Sequence, residues 1–526
     1  MNMADFQSTF TSLSIAESAP EWDLQRERIR LARTLMGGTK AMQDAGEEYL
    51  PRRADEPESE YQNRLKRSKL NNKYKQTLAY LVGQVFQKQI TYQEATEGKE
   101  VEYDTDFFGD FQEDVDTQGT NISMFGEKVF RAGMMDGVTF ILSEYPTVLQ
   151  VSDDEGRVYV ENEQGDFVPR TAQSDTENNW RPYWVHVKAG QVLDAWLDSV
   201  GGETVLRTFR YRETYQREND DGLRVTVQRI RAIFQTHWEV WEQPEEGDFE
   251  LVSSGENSLG IVPVDWFMPG EQIELVDGSG TAGLSAIPTL DDIAYINLEH
   301  WEENSNHRTL MQNVRAPGFL FNGIEFPRDT KSGDFMINWG PGKFLAALPS
   351  GTGIPADVKT ISIDTSSVEQ SFHDLQMLEE RMDVYALSLA QSKGQITATQ
   401  MQIAAISSNA SLKGWVQKLQ DCLENAIRKI ALWVNKPDGP PLHVNDNFTL
   451  MYDPSELQQL ASLVDRGLMP LFCLYEWLKK RGKISEDMTY DDYVLQIEQD
   501  KKRREMIDYT PSFAGRLQID RELAAA

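Results

Sequence analysis

The sequence predicts an α+β fold in which long helices accompany a central region of antiparallel strands. Apolar residues recur every three or four positions through residues 366–391 and again through 397–435, which is typical of amphipathic helices. Between residues 183 and 267 the apolar spacing changes to two, and clusters of Gly, Asn and Asp separate the segments. The length of 526 residues indicates several subdomains.

The composition restricts the possible functions. A formal charge of −32 argues against a surface that wraps nucleic acid, because phosphate contacts need local Lys and Arg; solubility is the simplest role of this charge. Cys422 and Cys473 lie in helical patterns, so we expect two buried thiols in a reducing compartment. No apolar run approaches the ~20 residues that span a bilayer, and the first residues do not resemble a signal peptide. We therefore expect a soluble protein without a membrane partner, made in the cytosol.

The first third of the chain is predicted to be mainly helical. Apolar spacing favours helices over residues 21–36, 61–86 and 107–135, the last ending at Asp136-Gly137. Residues 138–146 include Val138 and the apolar run Phe140-Ile141-Leu142 and end in Tyr-Pro, which is typical of a buried strand.

A glycine pattern follows the predicted β region. Gly278, Gly280 and Gly283 match G-x-G-x-x-G, but Pro288 intervenes before the next helix. A dinucleotide site needs a strand before the glycines and a helix that opens at the last one, so we expect a hinge here and no cofactor.

The next helix is predicted over residues 289–312 and carries two histidines. His300 and His307 are seven residues apart, whereas helical metal sites usually place ligands four apart. We therefore expect surface or interface histidines and no metal. Short β segments should occupy residues 318–363, before the helix at 366–391.

A polar break separates the two long helices. Ser392, Lys393, Gly394 and Gln395 interrupt the apolar pattern, and Gly394 favours a turn. After Pro440 and a strand-like run at 448–451, the chain is predicted to end in three further helices, the last two over residues 471–478 and 490–506.

The sequence contains no phosphate-binding P-loop, no G-x-S-x-G elbow, no H-E-x-x-H and no Cys-x-x-Cys. Because its carboxylates are scattered, no catalytic pair stands out. These absences favour a scaffold protein, and we expect no enzymatic activity. The alternative is a soluble acidic intracellular enzyme of unassigned chemistry.

The order of four segments resembles the portal proteins of tailed bacteriophages, in a group known only as a domain of unknown function. The segments have glycine–strand–Tyr-Pro, Arg-Pro-Tyr, Pro–Leu–Asn–His-aromatic and Thr-Ala-Thr patterns. They lie within residues 136–146, 181–185, 288–301 and 397–412.

This resemblance implies a ring, usually of twelve subunits, at one vertex of the capsid. Its expected parts are a wing (1–284), a stem helix (285–312), a clip (313–365), a second stem or wing helix (366–391), a tunnel loop (392–397), a long tunnel or wing helix (398–439) and a helical crown (440–526). Expected partners are other copies of the chain, the terminase large subunit, a head–tail adaptor, the major capsid protein and the double-stranded DNA that passes through the channel. The expected location is the virion. Another head–tail ring component is an alternative, although it should be shorter.

The resemblance also implies candidate functional residues. The tunnel-loop candidates that would face DNA are Ser392, Lys393, Gly394 and Gln395; Lys393 would be near the duplex or would merely solvate a turn. The stem or interface candidates are Glu299, Glu302, Glu303 and Arg308, and the clip candidates for adaptor docking are Phe326, Arg328 and Lys331. A channel rich in carboxylates would let DNA slide, because it repels phosphate.

Overall fold

The computed structural model mixes helices and sheets, as expected for an α+β protein, and forms two compact units, Met1–Asn445 and Asp446–Ala526. It describes residues 10–92, 103–146, 150–152, 158–161, 167–169, 180–218, 222–244, 247–274, 281–315, 318–322, 324–325, 348–349, 357–361, 365–389, 398–436, 439–446, 448, 460–464, 466–480, 484 and 488–508. No helix in these ranges has the length and apolar character needed to cross a bilayer.

The helices of the first unit are α1 (Pro20–Met36), α2 (Gly38–Ala45), α3 (Glu58–Arg67), α4 (Lys73–Val85), α5 (Thr105–Glu113), α6 (Ile122–Asp136), α7 (Asp291–Arg315), α8 (Thr365–Leu389) and α9 (Ala398–Trp433). Helix α10 (Leu471–Lys480) and helix α11 (Tyr490–Asp508) belong to the second unit. The predictions for α1, for the long helices α7–α9 and for α10 and α11 are confirmed to within a few residues.

The strands are β1 (Thr91–Tyr92), β2 (Thr139–Glu144), β3 (Gln150–Ser152), β4 (Val158–Glu161), β5 (Phe167–Pro169), β6 (Tyr183–Lys188), β7 (Val192–Val200), β8 (Glu203–Glu218), β9 (Arg224–Phe234), β10 (His237–Gln243), β11 (Glu250–Glu256), β12 (Val264–Phe267), β13 (Glu271–Glu274), β14 (Thr281–Ile287), β15 (Gly318–Asn322), β16 (Ile324–Glu325), β17 (Leu348–Pro349), β18 (Asp357–Ile361) and β19 (Leu442–His443).

The predicted helix at 61–86 is in fact two helices, α3 and α4. Ser68 adopts an extended conformation, and its hydroxyl donates to the Arg64 carbonyl at 3.0 Å, which ends α3. Asn72 then caps α4, because its side chain accepts from the Lys75 amide at 2.9 Å. The apolar spacing continues across this break, so periodicity alone did not reveal it.

The predicted helix at 107–135 is also divided, into α5 and α6. In the connecting loop, the Asp116 carboxylate accepts from the amides of Gln118 and Thr120 at 3.0 and 3.2 Å. Asn121 caps α6 by accepting from the Met124 amide at 2.8 Å. Helix α6 ends as expected at Gly137, whose φ of +81° favours glycine.

Two of the antiparallel sheets face a common core. One has the strand order β12-β2-β6, and the other is the meander β11-β10-β9-β8-β7. The aromatic rings of Trp22, Phe140 and Phe209 meet between them, with centroids 5.6 Å apart for the first pair and 5.1 Å for the second. All three are fully buried, so α1, β2 and β8 share one core.

Buried polar contacts fasten α1 to its neighbours. Arg33 Nη2 donates to the Asp136 carboxylate at 2.7 Å, and the Asp136 side chain is completely buried. The Gln25 side chain donates to the carbonyls of Asp136 and Ala286 at 2.7 and 2.9 Å and accepts from the Ala286 amide at 3.0 Å. These contacts join α1 to the end of α6 and to β14.

The glycine pattern, for which the sequence predicts a hinge, begins after β13 and ends within β14. Gly278 and Gly280 fall outside the described residues, but the flanking strands β13 and β14 pair antiparallel. Gly283 lies within β14, and the next helix begins only at Asp291. The strand–glycine–helix order of a dinucleotide site is therefore absent from this described part of the chain.

The second unit contains α10 and α11, joined by contacts of Tyr475. The Tyr475 hydroxyl donates to the Met488 carbonyl at 2.5 Å, and its ring lies 5.4 Å from that of Tyr490. This unit begins at Asp446, after β19, which pairs with β1 within the first unit. Of the strand expected at 448–451, only residue 448 is described, and it is not in a strand.

Candidate functional site: the paired long helices

Helices α7 and α8 form an antiparallel pair, as three side-chain contacts show. The distances are 3.1 Å for His300 Nε2 to Glu379 Oε1, 3.0 Å for His307 Nδ1 to Ser371 Oγ and 3.7 Å for Arg381 Nη1 to Glu299 Oε2. As the residue numbers on α7 rise from 299 to 307, those of their partners on α8 fall from 381 to 371, so the two helices run in opposite directions. Strands β15 and β18, which directly follow α7 and precede α8, pair at the same end of this helix pair.

The helix pair is anchored to α4 by buried amides. Asn297 is completely buried. Its Oδ1 accepts from the Tyr74 amide at 3.1 Å, and its Nδ2 donates to the Asn71 carbonyl at 2.8 Å. The Asn71 side chain in turn donates to Glu379 at 2.9 Å. Because both polar atoms of the buried Asn297 side chain have partners, this network sets the position of α4 against both long helices.

The sequence predicts surface or interface histidines, and His300 is not at the surface. Only 1 % of its surface is exposed, because it lies between α7 and α8. Burial lowers the pKa of His300, an effect that the Glu379 carboxylate opposes. His307, by contrast, is only half-buried. No group of three or more metal-ligating side chains occurs in the described ranges.

The four stem candidates lie in two different surroundings. Glu299 faces Arg381 of α8, and Glu302 and Glu303 are near it on the partly exposed side of α7. The pKa of Glu302 is raised, first by burial and then by the charges of Glu303 and Glu299. Arg308 instead turns towards α3, where its Nη1 donates to the Arg67 carbonyl at 3.3 Å. These four residues therefore do not form one cluster.

The remaining candidates lie outside the described residues. These are Ser392, Lys393, Gly394 and Gln395 of the predicted tunnel loop, and Phe326, Arg328 and Lys331 of the predicted clip.

Among the described residues, a cleft of about 310 Å³ beside α9 is one place to consider for enzymatic chemistry. Asp265 in its wall accepts from Lys429 Nζ at 2.7 Å, yet burial raises the pKa of this carboxyl. Cys422 is also in the wall, and burial raises its pKa well above the usual value, so the thiol stays protonated and unreactive. Cys473 is exposed, which corrects the expectation that both cysteines are buried.

The sequence pattern does not identify Asn71, Asn297 and Glu379 as members of this network. A polar residue in an otherwise apolar stripe was the available signal for Asn297, which lies between Ile293 and Trp301. For Glu379 there was none, because its partners lie 79 and 308 residues away along the chain.

The comparison with family models finds a match at residues 289–434, to a domain of unknown function (DUF4055). No curated protein matches the chain. The matched range covers α7, the β segments after it, α8 and α9, so the paired long helices belong to the part of the chain that is similar to this family.

Proposed function

We propose that this chain is the subunit of a bacteriophage portal ring, the channel through which DNA enters and leaves the capsid. The observation that carries the proposal is the antiparallel pair α7–α8, with paired β segments at its far end and the long helix α9 after it. This order matches the stem–clip–stem order of the family that the sequence resembles, and the DUF4055 match covers the same range.

The charge distribution around the predicted tunnel loop also supports this role. Residues 384–420 contain no Asp or Glu, although the whole chain has 84. The same stretch carries Lys393, Lys413 and Lys418. A loop in such a segment could approach phosphate without the repulsion that the rest of this acidic chain would exert.

In this proposal the chain contributes structure and does not hydrolyse nucleotide. A terminase would drive the DNA, a head–tail adaptor would dock at the β segments after α7, and the capsid shell would surround the ring. The ring would be built from about twelve copies and would lie in the virion.

The first experiment is to measure the mass of the purified protein by light scattering and its shape by negative-stain imaging. We expect rings with a central hole and a mass of many subunits. A monomer at every concentration and ionic strength tested would contradict the proposal and would direct attention to the cleft beside α9.

Deletion of residues 392–397 tests the tunnel loop. We expect ring assembly to persist, because this segment connects two helices that would retain their own contacts. We expect packaged DNA per particle to fall when a phage carries the deletion. Thr236→Ala, an exposed substitution that keeps the length of the turn between β9 and β10, serves as the control and should leave packaging unchanged. Loss of the ring itself in the 392–397 variant would show that the loop is misplaced.

A further inference from the structure

A basic segment is conspicuous in this acidic chain. Residues 61–93 contain no Asp or Glu. The basic residues in this segment are Arg64, Lys66, Arg67, Lys69, Lys73, Lys75 and Lys88. Two of them are neutralised inside the unit, since Arg64 pairs with Glu56 and Lys73 with Asp383, both at 2.7 Å.

Four of the other basic residues form an exposed group where α3 meets α4. We call Lys66, Arg67, Lys69 and Lys75 the basic corner; all four are exposed. No carboxylate pairs with them within the described ranges.

The backbone of the basic corner is held in place. The Gln43 side chain donates to the carbonyls of Leu65, Lys66 and Ser68 at 3.1–3.2 Å. The Leu70 amide donates to the Thr39 hydroxyl at 3.3 Å. A fixed backbone presents these charges without a large ordering cost, which favours binding.

The outward side of α7 carries the opposite charge. We call Tyr295, Glu299, Glu302 and Glu303 the acidic face. Tyr295 is 58 % exposed, although it is a large aromatic side chain. Among the described residues, Arg381 forms an ion pair with this face: its Nη1 lies 3.7 Å from Glu299 Oε2. Asn297, His300 and Trp301 are buried on the other side of α7, so the acidic face stands clear of the core.

These two surfaces suit a head-to-tail contact between copies. Such a contact joins two different patches, and it closes into a ring when the rotation between subunits allows. We propose that the basic corner of one copy docks on the acidic face of the next, with Tyr295 as the apolar anchor. This inference rests on the proposed ring and names the surfaces that build it.

A nucleic-acid partner for the basic corner is the competing explanation. Phosphate would account for the four cations but would leave the acidic face and the exposed Tyr295 unexplained. A second copy of the chain accounts for both surfaces, because opposite charges steer association and like charges oppose it.

Charge reversal tests the pairing. One variant carries Lys66→Glu, Lys69→Glu and Lys75→Glu, a second carries Glu299→Lys, Glu302→Lys and Glu303→Lys, and a third combines all six substitutions. Light scattering and negative staining measure the ring fraction against protein concentration, and circular dichroism checks folding. We expect each single-face variant to need at least ~10-fold more protein to form rings, and the six-fold variant to regain much of this loss.

A control changes charges elsewhere on the first unit. Arg224→Glu and Glu250→Lys alter exposed residues of the five-stranded sheet, and rings should form as in the wild type.

The outcomes separate the surface assignment from the ring itself. If both single-face variants form rings as readily as the wild type, the surface assignment is wrong but the proposed ring is retained. If both variants lose rings but the six-fold variant does not recover them, these surfaces do not pair. If the lysine variant forms rings but retains less duplex DNA, the basic corner binds phosphate instead. A wild type without rings would overturn the proposed function itself, and this inference with it.

Discussion

At the scale of single residues, burial determines which protonation state a side chain keeps. His186 Nε2 lies 2.8 Å from the Thr139 hydroxyl, and burial, aided by the charges of Lys188 and Lys128, lowers the pKa of His186 to about 4. For Asp136, burial raises the pKa although Arg33 lowers it. In both cases burial acts against the charged form, because that form loses hydration.

His186 should make stability depend on pH. Above pH 6.5 both the folded and the unfolded chain carry a neutral imidazole, so this residue adds no dependence. Between pH 6.5 and about 4 the unfolded chain binds a proton that the folded chain excludes, so the free energy of unfolding falls as pH falls. At pH 5 the loss should be about 2 kcal/mol.

The measurement compares urea unfolding of the wild type and of His186→Gln at pH 7 and pH 5. The wild type should lose more stability than the variant, since other titrating groups are common to both. An equal loss in the two proteins would show that His186 is not responsible.

The Asn297 side chain should contribute strongly to the free energy of unfolding. Replacing it with Leu leaves the Tyr74 amide and the Asn71 carbonyl without their present partner, and each unmet group costs about 1–3 kcal/mol. We expect Asn297→Leu to lower the free energy of unfolding by about 2–4 kcal/mol. The control is Asn306→Leu on the exposed side of the same helix, which should change stability by no more than about 0.5 kcal/mol. Equal effects would contradict the network.

At the scale of elements, capping and close packing decide where helices end and how near they approach a sheet. Ser68 and Asn72 separate α3 from α4. Gly133 lets α6 approach β12, because an added Cβ would lie 2.4 Å from the Phe267 ring. Gly414 in α9 has open space around the same position.

The two glycines should therefore respond oppositely to alanine. Gly133→Ala should destabilise the protein by about 1–3 kcal/mol, because buried Phe267 would have to shift. Gly414→Ala should stabilise it by about 0.5–1 kcal/mol, since alanine favours the helix. Thermal unfolding measures both, and a neutral Gly133→Ala would show that the α6–β12 contact is looser than described.

At the scale of the whole molecule, the chain divides into two units with separate contacts. The first has its own cores, including the one around Trp22, Phe140 and Phe209. An independent core is what allows a unit to fold alone.

A chain ending at residue 445 should thus keep the fold of the first unit. We expect its circular dichroism to show a cooperative thermal transition and its limited-proteolysis pattern to match that of the first unit in the full chain. Truncation at residue 435 is the informative comparison, because it removes β19, which pairs with β1. Equal melting of the two truncated chains would show that this pairing contributes nothing.

Much of the fold follows from local patterns. The apolar spacing of three to four predicts α1 and the long helices α7–α9, and the spacing of two predicts the antiparallel sheets. The same patterns failed at residues 68–72 and 114–121, where single side-chain caps interrupt an apolar rhythm that continues on both sides.

The candidate site likewise has some features that local patterns predict and others that they do not. Apolar periodicity is a property of neighbouring residues, so it suffices to predict two long amphipathic helices with short β segments between them. The tertiary fold buries His300 against Glu379, joins α7 to α4 through Asn297, and turns Glu299 and Arg308 towards different partners. Burial and hydrogen bonding depend on residues far away along the chain, so the sequence of a single segment does not predict these contacts.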